Sequence, residues 1–245
     1  MPRHVKYILT ILAVFLSPLC AAAQQTIINV PSSDVLPYGE IILKQSNKFR
    51  PFGEGKYVSL TPQLIMGTGK DTEISVEAGT NIEDTTSVKL NLTAKKVFRI
   101  KKAARFTVGA TLSPSLTEGQ KPDSMIYAHG SYLCKKTRTT FTAGGFVGGQ
   151  REMPSLTGVM LGVDQTIIPN KLRVAVDWTS RDESWGVFGA GLKIRPEPTT
   201  SITTAILIPN SSQDRVAFSI SISKYVGKVL PEFAKKEEQE QGENL

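Results

Sequence analysis

From Val216 to Ser223 the chain reads Val-Ala-Phe-Ser-Ile-Ser-Ile-Ser, with branched or aromatic side chains at every second position and only Ala or Ser between them. Successive side chains of a strand point to opposite faces, so this run has one oily face and one that is small and polar. The same alternation recurs at Thr157–Ile167, Leu172–Thr179, Trp185–Ile194 and Ser201–Ile208, with turn-formers between the runs. Upstream it appears in Ile74/Val76/Ala78, Val88/Leu90/Leu92/Ala94 and Phe106/Val108/Ala110/Leu112. Glu40–Asn47, Tyr57–Gly67, Met125–Leu133 and Thr139–Val147 complete a set of about twelve strands, although the pattern does not choose a face for the last two. Apolar alternate positions on many short strands are met either by a second protein layer or by lipid.

The beginning of the chain bears on that choice. Arg3, His4 and Lys6 precede an apolar stretch, Tyr7 to Leu19, which ends at Ala21-Ala22-Ala23, the pattern of a secretory signal peptide over residues 1–23. The stretch falls short of the roughly 20 apolar residues a spanning helix needs, and Leu19 before Cys20 is a poor lipid-attachment context. Export leaves 222 residues, and the net charge of +7 falls to +5 when Arg3 and Lys6 are removed. Nucleic acid is an unsuitable partner for such a chain. Only Cys134 survives processing, so no internal disulfide forms. The mean hydropathy of −0.10 looks soluble, but a barrel escapes that average because only alternate residues meet lipid. The expected fold is therefore all-β, a transmembrane antiparallel up-and-down barrel over residues 39–225. A periplasmic N-terminal segment, 24–38, would precede it and a polar tail, 226–245, would follow.

Faces opposite the apolar rows carry small or charged residues. Glu73, Glu77, Lys89, Arg105, Asp164, Arg173, Asp177 and Lys193 are the candidate lumen-lining charges, of mixed sign. In a pore such charges set ion preference; in a filled barrel they pair with one another. Gly109, Gly162, Gly189, Gly191, Ser219 and Ser221 leave room, which favours a water-filled lumen. Short turns near 67–71, 99–103, 135–138, 168–171 and 195–200 would lie at the periplasmic end, with longer loops outside. None of the loops looks long enough to fold inside as a plug. Tyr57, Phe98, Trp178, Trp185 and Tyr225 fall near strand ends, where rings favour the membrane interface.

The segment from Ile28 to Gly39, leading into a strand, and hairpins closing in a Phe-x-Ile-x-Ile strand together resemble uncharacterised, porin-like bacterial outer-membrane β-barrel proteins. That resemblance implies a location in the bacterial outer membrane, insertion by the barrel-assembly machinery and outer-membrane lipids as partners. It does not single out a substrate, and the tail after Tyr225 departs from barrels that end on an aromatic residue.

Two further clusters carry chemistry. Lys95, Lys96, Arg99, Lys101 and Lys102 are candidate contacts for anionic head groups around one periplasmic turn. A turn centred near Ile100 would set Lys95 opposite Arg105, where like charges repel. His129 and Ser131 share a strand face, but neighbours two apart splay too far for a tight base–nucleophile hydrogen bond, and no motif surrounds them. No catalytic, metal or cofactor site is expected. The reading is a passive pore for small hydrophilic solutes or ions, or a structural surface barrel; a secreted soluble β-sandwich or adhesin that binds a surface ligand is the alternative. Oligomeric state is not legible.

Overall fold

The computed structural model describes residues 26–51, 57–82, 86–114, 123–150, 156–180, 186–211 and 216–228. The leader, most of the tail, Trp185 and the tips of the loops expected outside lie beyond the described residues. Twelve strands follow one another around a closed antiparallel sheet: β1 (Glu40–Arg50), β2 (Tyr57–Gly69), β3 (Thr72–Ile82), β4 (Thr86–Arg99), β5 (Ala104–Ser113), β6 (Asp123–Cys134), β7 (Thr139–Gln150), β8 (Leu156–Ile168), β9 (Leu172–Thr179), β10 (Val187–Glu197), β11 (Thr200–Pro209) and β12 (Ala217–Lys228). β1 pairs with β12 from Glu40 opposite Lys228 to Phe49 opposite Phe218, so the meander has no free edge. The last strand runs three residues past Tyr225, the expected end.

Tight turns close one end. Lys70 and Asp71 both have positive φ, 49° and 56°, the conformation in which a two-residue hairpin matches strand twist. Arg138 and Asn170 adopt the same region at two neighbouring turns.

The alternation has the physical meaning expected of it. Ile126, Leu112, Val159, Leu161, Ile206, Ile208 and Ile222 are all exposed on the outside of the cylinder, as are Phe98, Phe106 and Phe141. Water-facing apolar patches on soluble monomers rarely exceed a few hundred Å²; a belt around every strand calls for hydrocarbon. No second sheet covers it among the described residues, so the sandwich alternative is not favoured. On β6 and β7, whose faces the pattern left open, Tyr127, His129, Ser131, Thr142 and Phe146 are buried inside, while Ile126, Tyr132, Phe141 and Val147 face out.

Candidate functional site in the barrel lumen

The segment expected to hang below the barrel is inside it. Residues 26–38, from Thr26 to Tyr38, form a strap that crosses the lumen, and Val30 is wholly buried. A chain that leaves the sheet must find partners for its backbone groups elsewhere, and the inward charges supply them. The carboxylate of Asp177 accepts the backbone N–H groups of Ile28, Asn29 and Val30 at 2.9, 2.5 and 2.7 Å on one oxygen. Its other oxygen takes the Asn29 side-chain amide at 3.2 Å. Closer to the rim, Lys95 donates to the carbonyls of Ser32 and Asp34 at 3.3 and 2.5 Å. Arg105 donates to the Ser33 carbonyl and the Asp34 carboxylate at 3.1 and 2.9 Å. Leu36 donates its N–H to Glu73 at 3.2 Å. The Ser33 hydroxyl lies 2.8 Å from both Thr107 and Ser131.

Apolar contacts complete the seat. Ile27 and Val30 form a buried cluster with Tyr127, Phe146, Met160 and Ala175, a small dry core where a water-filled lumen was expected. The lumenal glycines make room for this filling. A Cβ on Gly162 would stand 2.3 Å from Cδ1 of Ile27, and one on Gly109 would stand 2.3 Å from the Tyr127 ring. At the rim a Cβ on Gly67 would meet the carbonyl oxygens of Pro37 and Leu36 at 2.1 and 2.4 Å.

All eight lumen-lining candidates are on inward faces. Glu73 and Asp177 lie against the strap, and Arg105, Asp164 and Arg173 border a cavity of about 420 Å³ on the turn-bearing side. Glu77 and Lys89 border one of about 400 Å³ on the other side, with Lys44 and Lys48. Lys193 borders a narrower space of about 80 Å³ beside Ile27 and Ile28, walled by Ser201, Thr203, Ser219, Ser221 and Ser223. The mixed signs are partly compensated within the barrel: Arg173 pairs with Asp164 at 2.7 Å and Lys89 with Asp123 at 3.1 Å. Glu77 accepts from Asn91 at 2.7 Å.

Two expectations for the basic turn fail. Lys95 cannot reach head groups: its side chain is 1% exposed and lies 3.0 Å from Glu73. Its parity decides this, because Lys95 falls in the inward row with Asn91 and Thr93. The cross-strand partner of Arg105 is Arg99, and Lys95 faces Gly109. The Arg99–Arg105 repulsion is relieved sideways, Arg99 forking onto Asp71 at 2.6 and 2.9 Å and Arg105 turning to Asp34. Lys96, with its ammonium 6.0 Å from the Phe98 ring centre, remains on the outer side, and Lys101 and Lys102 are exposed.

His129 Nδ1 lies 3.4 Å from the Ser131 hydroxyl, a loose contact. That hydroxyl is already engaged with Ser33 and with Thr142 at 2.8 and 2.9 Å, beneath the strap.

The lengths of the loops between strands do not announce the strap, because the lumen is filled from the segment before β1. A signal was present: Ile27, Ile28, Val30 and Leu36 are too apolar for a segment standing in water.

Comparison with protein-family models and with curated proteins finds no match. Among solved structures the chain is similar to the KdgM porin, with a TM-score of 0.57 and 9% identity over 75% of this chain and 98% of that one. Also similar are the outer membrane protein Omp33 of Acinetobacter baumannii (TM-score 0.48, 10% identity, 76% of this chain and 98% of that one) and the translocator domain of the autotransporter NalP from Neisseria meningitidis (TM-score 0.46, 12% identity, 78% and 90%). At such identity the likeness to the first speaks to the fold, a closed barrel.

Proposed function

We propose that this barrel sits in the bacterial outer membrane as a passive pore for small hydrophilic solutes or ions, with a path narrowed by its own N-terminal strap. The observation that carries this reading is the pairing of an apolar exterior with a polar, charged vestibule on either side of the strap, about 420 Å³ and about 400 Å³. The outward belt suits hydrocarbon, while the vestibules are lined by hydroxyl, amide and charged groups that exchange contacts with a solute's hydration shell. The serine-lined space of about 80 Å³ along β10 to β12 and β1 is the narrow place beside the strap. Outer-membrane lipids are the surrounding partners, and the barrel-assembly machinery inserts the chain.

Planar-bilayer recording tests this. The mature protein should give small current steps, and a variant lacking residues 24–34 should give larger ones. A structural surface barrel is the second reading, favoured by how fully the strap is bonded. Silence from the mature protein and from the truncated variant, both folded, would establish the scaffold and end the pore.

A further inference from the structure

We infer that the turn-bearing rim holds a binding site for a phosphate-type anion, set between the β6–β7 turn, the β8–β9 turn and the end of β10. A cavity of about 340 Å³ there is bordered by Arg138, Lys171, Arg173, Lys193 and Arg195, and by no carboxylate among the described residues. Backbone hydrogen bonds lock the three elements side by side: Thr166 N–H to the Arg138 carbonyl at 3.0 Å, and Arg195 N–H to the Lys171 carbonyl at 2.8 Å. The cations are therefore gathered by the fold.

Their electrostatics are unfinished. Lys193 and Arg173 are direct cross-strand partners on the inward face, a pairing in which like charges destabilise. Arg173 is answered by Asp164, but Arg138, Lys171, Lys193 and Arg195 have no ion-pair partner within 4.0 Å among the described residues. The acids that could serve are engaged: Asp164 with Arg173, Asp34 with Arg105, and Glu197 with Lys224. An anion with several oxygens would relieve the repulsion, and guanidinium forks suit phosphate geometry. The hydroxyl of Thr166 and the amide of Asn170 also border the space. Ile168, beside this turn, is exposed, so the phosphate could belong to a lipid head group or to a soluble ester. The site is independent of whether the barrel conducts.

The test uses the full mature chain refolded in neutral detergent, titrated calorimetrically with inorganic phosphate and with glycerol phosphate. It then uses nanodiscs of phosphatidylcholine with and without phosphatidylglycerol, scored for retained lipid by native mass spectrometry. Saturable binding of one equivalent is expected, weakened at least tenfold by Lys193→Met. The exposed pair Arg138→Gln/Arg195→Gln should weaken it as much, which keeps the test sound should Lys193→Met fail to fold. Removing Lys96, Lys101 and Lys102 as Gln variants takes at least as much charge from the neighbouring rim and should leave the calorimetric binding of inorganic phosphate unchanged, since none of them borders the cavity. Binding of free phosphate without lipid retention identifies a soluble ester, and selective retention of phosphatidylglycerol identifies a head group. Binding of neither, or an equal loss of inorganic phosphate binding in the Lys96/Lys101/Lys102 control, would overturn the proposal.

Discussion

Replacing Asp177 by Asn changes one atom in size and almost everything in the electrostatics of the strap. In the native barrel one carboxylate oxygen receives three backbone N–H groups from Ile28, Asn29 and Val30. Asp177 is 1% exposed, so water does not compete. Hydrogen bonds to a charged acceptor contribute about 1.5–3 kcal/mol each, but three bonds sharing one oxygen are not additive. An asparagine oxygen can still accept from some of these donors, while its amide nitrogen would face the Asn29 side chain as donor against donor. A net loss of about 2–3 kcal/mol follows, which lowers the docked-to-undocked ratio of the strap by roughly 30- to 140-fold at 1.4 kcal/mol per tenfold. Amide hydrogen exchange of a peptide covering residues 26–36 reads this directly, since exchange of a docked segment requires its release. Exchange at residues 28–30 should accelerate by that factor while β4 and β6 amides keep their protection. Unchanged exchange at residues 28–30 would refute the anchoring role of Asp177.

The remaining expectations concern the wall and the seat. Val176→Arg places a cation on the lipid side near mid-wall and should cost about 2–4 kcal/mol, seen as reduced insertion or a lower urea midpoint. Glu77→Arg, on an inward face bordering the vestibule of about 400 Å³, should fold and shift reversal potentials toward anions; a folding defect equal to that of Val176→Arg would contradict the face assignment. Lys95→Met strands the Glu73 carboxylate in a buried site, an expected loss of about 3–5 kcal/mol, whereas Lys102→Gln on the exposed turn should stay within about 0.5 kcal/mol. Gly67→Val drives a side chain into the Leu36 and Pro37 carbonyls and should lower stability by about 1–3 kcal/mol while loosening the strap. Gly130→Ala, where an added Cβ meets nothing within 4 Å, is its neutral control; urea midpoints compare the two.

How far the sequence could be read follows from what period-two alternation encodes. It tells which face of a strand a residue occupies, so the outward Leu161, Ile206 and Ile222 and the inward Asp164, Asp177 and Lys193 were legible residue by residue. It also contained the correct side for Lys95, which only the neighbouring basic residues obscured. Alternation is silent on what lies across the lumen. Ile28 and Asp177 are separated by 149 positions, and nothing local to either announces the contact. The glycines illustrate the ambiguity: Gly162 and Gly109 looked like space for water, yet they are clearance for Ile27 and Tyr127. Register slipped for a similar reason. A turn near Ile100 would set Lys95 against Arg105, whereas the connection between Arg99 and Ala104 centres near Lys102 and pairs Arg99 with Arg105.

The most direct test of a barrel occupied by its own N-terminus is a covalent trap. The side-chain oxygens of Ser33 on the strap and Ser131 on β6 lie 2.8 Å apart, near the reach of a disulfide between cysteines at the two positions. In a Ser33→Cys/Ser131→Cys protein that also carries Cys134→Ser, mild oxidation of intact outer membranes should produce an internal cross-link that pins the strap and suppresses its hydrogen exchange. A folded barrel whose two cysteines stay free and accessible to a water-soluble maleimide would show that the strap lies outside the lumen, contradicting the account.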